Sequence, residues 1–311
     1  MAQAATISDE TDELRDRFRG VLAGLATGDA FGAPLEFQPA REPSNYVLDM
    51  VGGGWQQLAP GEWTDDTQMS LCIVESLIAK RVFDPDDIAR RFTVWMDSKP
   101  KDIGVHTNKI LQAIKDGTPW ERASQEAMEE DPSNAPNGSI MRCAPLAMFF
   151  YRQPDFVASL SPVLSRITHA HPDCEWASVF LNVAIACLLK GERTQKAFDT
   201  AYESIEGAAS DALKDRVRKA MSPDNTTSPT GWVLDTFEVA LWAFLHTRTF
   251  EEAILNAVNR GADADTVGAV TGALAGACYG YSAIPQRWLS PLKDRENLLN
   301  LADELLALAS E

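Results

Sequence analysis

Two clusters of threonine and aspartate carry the chemistry most open to reading in this 311-residue chain: Thr64-Asp65-Asp66-Thr67 and Asp263-Ala264-Asp265-Thr266. Each stands where a helix is expected to open. One Asp or Thr at a helix start is enough to satisfy orphan N–H groups and to complement the helix dipole. Each cluster offers two carboxylates and a hydroxyl, with no Cys or His among them. An oxygen-only donor set suits Mg²⁺, Mn²⁺ or Ca²⁺ and does not suit zinc, which favours sulfur and imidazole. If the two helix starts face one another, their carboxylates repel unless cations lie between them. A two-metal centre is the reading that follows.

Three further segments could join such a centre. Gly28-Asp29-Ala30-Phe31-Gly32-Ala33-Pro34-Leu35-Glu36 should end the first helix and deliver the Glu36 carboxylate on a proline-stiffened loop. Asn137-Gly138-Ser139-Ile140-Met141-Arg142 follows Pro136 and should start an apolar helix. The N–H groups at that start could bind an anion with help from Ser139 and Arg142; the plainer reading is an N-cap with a surface arginine. His169 and His171 have no third soft ligand nearby in sequence, so one histidine contacting a ligand is expected rather than a zinc site. No GxSxG elbow, Walker motif or GxGxxG after a strand is present, which leaves serine-hydrolase, P-loop and Rossmann chemistry without support.

The elements that must hold these residues read as helices throughout. Apolar residues recur at spacings of three and four, as in Phe18, Val21, Leu22 and Leu25, or Met69, Cys72, Ile73 and Leu77. Sustained alternation is absent, so the expected fold class is all-α, a single domain from residue 14 to 311 behind a flexible terminus over 1–13. Glycine recurs at every fourth position in Gly20, Gly24, Gly28 and Gly32, and again in Gly268, Gly272, Gly276 and Gly280. Each interior glycine costs about 0.5–1 kcal/mol against alanine, which close helix–helix approach must offset. A net charge of −17 argues against a nucleic-acid backbone as partner. Five scattered cysteines read as free thiols of a reducing compartment. A cytoplasmic monomer without a membrane span is the expectation.

Taken together, these segments resemble the ADP-ribosylglycohydrolase family. The residues that carry the resemblance include Gly28-Asp29-Ala30-Phe31-Gly32 with Glu36, Trp63-Thr64-Asp65-Asp66-Thr67, Asp102-Ile103-Gly104, Asn137 to Arg142, Thr168-His169, Gly231-Trp232-Val233-Leu234-Asp235-Thr236, and Asp263 to Ala269. It covers about residues 17–305. The resemblance implies an all-α orthogonal bundle with two Mg²⁺ or Mn²⁺ in a cleft, hydrolysing the bond between ADP-ribose and an acceptor, with an ADP-ribosylated protein or ADP-ribose as partner. It implies Thr64, Asp65, Asp66, Asp263, Asp265 and Thr266 as metal ligands, Asp66 and Asp265 being central to catalysis. Glu36 would stand beside the metals and Asp102 at the scissile end as an acid–base residue. Asn137, Gly138, Ser139, Met141 and Arg142 would cradle the pyrophosphate, with His169, Gly231 and Trp232 also contacting substrate. Arginine is the expected acceptor; serine, a nucleic-acid base, a small molecule, or a binding-only role like that of the related lens crystallins are alternatives. One departure is Gly261-Ala262-Asp263, where the family commonly has Gly-Gly-Asp. A left-handed backbone there would strain the alanine by about 1 kcal/mol.

Overall fold

The computed structural model describes the backbone of residues 2–310 and the side chains of residues 11–310. Helices α1 (Ala2–Gly32), α2 (Asp65–Lys80), α3 (Pro85–Asp97), α4 (Val105–Lys115) and α5 (Trp120–Glu130) come first. A 3₁₀ turn, Asn137–Arg142, leads into α6 (Ala144–Phe149), α7 (Pro154–Arg166), α8 (Pro172–Leu189), α9 (Thr194–Glu206) and α10 (Asp211–Ala220). Then follow α11 (Val233–Leu245), α12 (Phe250–Val258), α13 (Ala264–Tyr279), α14 (Gln286–Leu289) and α15 (Arg295–Ala309). The only extended pairing among the described residues is two isolated bridges, Gly53 with Leu58 and Pro136 with Trp232. The all-α expectation therefore holds. The terminus expected to be flexible falls mostly on side chains outside the described residues, and the backbone from Ala2 is drawn as part of α1.

Both Thr-Asp clusters do open helices. Thr64 is the N-cap of α2 and Asp263 that of α13. Other starts follow ordinary rules: Asp84 accepts the Asp87 N–H at 3.0 Å ahead of Pro85, and Thr249 accepts that of Glu252 at 3.1 Å.

The two glycine stripes pack against each other. α1 and α13 run antiparallel in the centre of the bundle, pairing Gly20 with Gly276, Gly24 with Gly272, Gly28 with Gly268 and Gly32 with Ala264. A Cβ placed on Gly28 would lie 1.9 Å from the carbonyl oxygen of Gly268, and one on Gly272 would lie 2.0 Å from that of Gly24. Backbone meets backbone at four successive levels, each with glycine on α1. Gly280 closes the stripe differently: it caps α13 with φ of 80° against the Asp16 carboxylate. One continuous apolar cluster, from Phe18 to Leu306, surrounds this pair. α8 is long and apolar enough to cross a membrane by composition, but 89% of that stretch is buried inside the bundle.

Because the clash at Gly28 is with backbone, no rotamer relieves it, and overpacking of this kind costs about 3 kcal/mol or more. Gly28→Ala is expected to leave little folded protein in a thermal melt. Gly207, with φ of −80° and open space where a Cβ would stand, is the control: Gly207→Ala should change stability by no more than about 1 kcal/mol.

Candidate active site

The antiparallel register sets the site. The C-terminal end of α1 and the N-terminal end of α13 lie at the same end of the bundle, so Asp29, Asp263 and Asp265 arrive together. Asp29 is fully buried and organises the start of α2 from outside it. Its carboxylate accepts the N–H groups of Thr64 and Thr67 at 3.0 Å and their hydroxyls at 2.8 and 2.6 Å. The motif Gly28-Asp29-Ala30 was visible in the sequence, but nothing local assigns Asp29 this anchoring role.

A cleft of about 960 Å³ opens over these helix ends. Glu36, Asp65, Asp66, Asp102, Asn137, Gly138, Met141, His169, Gly231, Asp263, Asp265 and Thr266 all line it, so twelve of the sixteen residues singled out in the sequence meet there. Glu36, Asp102 and Asp265 each bring one carboxylate oxygen to within 4.8 Å of the others. That triad joins one expected metal ligand, Asp265, to Glu36, expected beside the metals, and Asp102, expected at the scissile end.

Four residues do not line the cleft. Thr64 lies just beneath it, and Ser139 is buried, its hydroxyl directed at the Cys174 carbonyl at 3.4 Å. Trp232 packs under the Arg216 guanidinium, 5.2 Å from the ring centre. Arg142 is neither a phosphate contact nor a surface residue. It is 1% exposed, donates to the Gly138 carbonyl and the Thr168 hydroxyl, and lies 4.9 Å over the Phe92 ring. The hydrogen bonds it can make are turned inward, because the segment it sits on ends in a 3₁₀ turn that aims its side chain at the core. Burial pulls its basicity down to about 10. The anion cradle is further reduced because the Asn137 N–H goes to the Gly231 carbonyl at 3.0 Å.

Other residues at the site were missed. Trp55 donates to Glu36 at 2.5 Å, and Gln56 donates to Asp102. Both sit on a tight turn after Gly52, Gly53 and Gly54, all with positive φ, and that triple-glycine run was the available signal. Asn137 spends its amide protons on Thr236 and Asp263, both at 2.9 Å, which fixes the Asp263 carboxylate. Ala262 does adopt the left-handed backbone, φ 51°, opposite Phe37 at 61°. Reciprocal bonds hold the two loops there, Phe37 N–H to Ala262 at 2.6 Å and Ala262 N–H to Gln38 at 2.8 Å.

The carboxylates are held against their preference. Burial raises Asp65, Asp66 and Asp265 well above the usual range, with repulsion from one another and from Asp29, Asp102, Asp263 and Glu36 adding to it. Burial lifts Glu36 to about 8, opposed by the Trp55 hydrogen bond and reinforced by Asp102, Asp263 and Asp29. Asp102 is raised by burial and by Asp263 despite the Ile103 N–H. The Asp66 Oδ1 is buried and has no hydrogen-bond partner among the described residues. The Thr64 hydroxyl proton is committed to Asp29, which leaves its lone pairs free. Orphaned acceptors, unshared lone pairs and uncompensated negative charge make a donor set that fits hard divalent cations.

The family is legible over the whole chain. A family model, ADP-ribosylglycohydrolase, matches residues 10–311. The chain belongs to the ADP-ribosylglycohydrolase family. An ADP-ribosylarginine hydrolase of Serratia proteamaculans (strain 568) is 36% identical over 96% of this chain and 81% of the relative. The ADP-ribosyl-[dinitrogen reductase] glycohydrolase of Rhodospirillum rubrum is 35% identical over 95% of this chain and 97% of its own length. A chain of a solved ADP-ribosylglycohydrolase-related protein complex is 37% identical with a TM-score of 0.83, covering 96% of this chain and 99% of that one. The chain is therefore a glycohydrolase, an enzyme that cuts the glycosidic bond between ADP-ribose and an acceptor.

Two outcomes follow. A carboxyl whose folded value lies above its unfolded value near 4 binds extra protons in the native state, so it destabilises that state as pH rises. In chelator, where no cation offsets the charge, the melting temperature should fall between about pH 7 and 8.5, the range in which Glu36 ionises. A melting temperature that rises over this range would contradict the assignment. Arg142→Ala strands the Gly138 and Thr168 acceptors and leaves a cavity, so it should cost about 2–4 kcal/mol in a denaturant titration.

Proposed function

We propose that this glycohydrolase removes ADP-ribose from modified arginine on protein, with two divalent cations, Mg²⁺ or Mn²⁺, held by Thr64, Asp65, Asp66, Asp263, Asp265 and Thr266. The observation that carries the metal is the buried Asp66 oxygen without a partner, beside a threonine whose only hydroxyl proton is already spent on Asp29. The arginine acceptor is supported by the name of the Serratia relative and by the rim, where the carboxylates of Glu36 and Asp102 border the cleft. Planar guanidinium groups match carboxylates in charge and in fork geometry.

Bound cations would offset the carboxylate repulsion, engage ribose hydroxyls and polarise water. Cleavage of the glycosidic bond builds positive charge on the sugar ring. Glu36 and Asp102 are the carboxylates placed to stabilise that charge. The Trp55 indole holds Glu36 through Oε2 and the Gln56 amide holds Asp102 through Oδ2. Asp102 is assigned the proton exchange with the departing acceptor nitrogen. The Asn137 amide holds Asp263 at 2.9 Å, which fixes one wall of the ribose pocket. Gly231 lies alongside, and a Cβ there would stand 3.5 Å from the Asp263 Oδ2. We further place the enzyme as a monomer in the cytoplasm, where its five unpaired cysteines stay reduced.

Release of free ADP-ribose from an arginine-ADP-ribosylated protein tests the proposal. Activity should require Mg²⁺ or Mn²⁺, vanish with EDTA, and be almost abolished in Asp265→Ala. Asp102→Ala should cost less, on the order of 10²–10⁴-fold, as for a general acid or base. Binding of ADP-ribose without release from arginine would remove the acceptor assignment. Activity that survives chelation would remove the metal.

A further inference from the structure

Arg142, withdrawn from the cleft, still reaches it through two side chains. Its guanidinium donates to the Thr168 hydroxyl, which lies 2.7 Å from Nδ1 of His169. Thr168 is completely buried and His169 nearly so, while His169 and Gly138 line the cleft. Nε2 of His169 has no hydrogen-bond partner among the described residues, and a Cβ on Gly138 would lie 2.9 Å from it. Glycine at 138 keeps that edge of the ring clear.

Donor and acceptor chemistry leaves one consistent arrangement. Arginine carries only donors, so the Thr168 oxygen must accept from it. The threonine then has one proton to place, and Nδ1 is the acceptor within reach. If Nδ1 carried a proton, the threonine oxygen would face two donors while its own proton, buried, would have nowhere to go. An unsatisfied buried donor disfavours that arrangement by one to two powers of ten.

We infer that Arg142 and Thr168 are positioning residues that lock His169 as a neutral imidazole with its proton on Nε2, so that the cleft meets a fixed N–H donor at this point. His106, whose ring centre is 4.7 Å away, reinforces neutrality, as does the Arg142 charge behind it. Burial, His106 and Arg142 all depress the His169 value well below the usual range, and none of the groups acting on it is a carboxylate. His106 itself is tied to the Thr168 carbonyl at 2.9 Å, so the ring pair is fixed from both sides. A locked donor recognises an acceptor oxygen and rejects a donor in the same place. That the oxygen belongs to an ADP-ribosyl group rests on the function proposed above; the proton placement does not.

Imidazole ¹⁵N spectroscopy of the 311-residue chain, which has four histidines, tests the inference without turnover. His169, assigned with His169→Asn, should show an unprotonated Nδ1 and a protonated Nε2, unchanged from pH 5.5 to 8. Arg142→Met frees the threonine to accept from Nδ1, so the Nδ1–H form should appear. Arg142→Lys, which restores a donor, should suppress it. Should Arg142→Met fail to fold, Thr168→Val removes only the intervening hydroxyl and should shift the Nδ1 resonance, with Thr168→Ser restoring it. A wild-type His169 that carries its proton on Nδ1, mixes tautomers or titrates near 6.5 overturns the inference, as does an Nδ1 signal indifferent to Thr168→Val. Addition of ADP-ribose should move the Nε2 signal. If the tautomer is locked and ADP-ribose moves nothing, the positioning role stands and the ligand assignment fails.

Discussion

Direct backbone contact between α1 and α13 is the constraint on which the rest of the molecule depends. Gly28 and Gly268 approach so closely that a single methyl group on either would overlap a carbonyl oxygen. Helices that pack through ordinary side chains sit about 8–10 Å apart and can slide by a fraction of a turn. Helices that pack through glycine have no such slack. The register fixed along this seam places Asp29 near the end of one helix and Asp263 and Asp265 at the start of the other. The site is therefore as rigid as the core that surrounds it, with no dependence on loop packing for its first carboxylates. The propensity lost at each glycine is offset by burial of the surrounding apolar cluster.

Rigidity matters because the site is electrostatically unfavourable by itself. Asp65, Asp66 and Asp265 are all buried among other carboxylates, and no arginine or lysine pairs with them among the described residues. A flexible bundle would relax by turning such groups into solvent. Here Asp29 prevents that at α2, since four hydrogen bonds from Thr64 and Thr67 pin the helix start beneath it. The strained pair Phe37 and Ala262 does the same for the two loops, each left-handed residue bonding through its backbone to the opposite loop. Strain of this kind persists only where the surroundings over-determine it, and it collects where function demands placement.

Buried polarity serves a second purpose beneath the substrate side of the cleft. Arg142 has no carboxylate partner, yet its charge is tolerated because a carbonyl, a hydroxyl and an aromatic face share it. The arrangement gives directionality: donors point outward from the guanidinium through Thr168 to His169. The acidic side of the cleft and this donor side are held by different elements, α1, α2 and α13 against the 3₁₀ turn at 137–142 and the turn before α8. Asn137 joins them through its bond to Asp263.

Local chemistry made much of this legible in the chain. Periodicity of three and four identified the helices, and Thr and Asp at the starts of α2 and α13 marked both their caps and their oxygen donors. Glycine at every fourth position announced a seam, because no other role offsets so much lost helix propensity. The left-handed backbone at Ala262 was signalled only by the glycine that the resembled family commonly has at that position. What sequence could not fix was side-chain direction. Arg142 reads as an anion contact beside Asn137 and Gly138, but the turn rotates it inward. Trp232 lies next to a residue that lines the cleft and yet packs against Arg216. Asp29, Trp55 and Gln56 gain their roles from partners distant in the chain, which spacing along one segment cannot reveal. Residue types and their periodicity determined the helices and the donor chemistry, since both are local properties. Which oxygens converge, and which polar groups turn away, was decided by the pairing of α1 with α13, since only contact between distant segments sets direction.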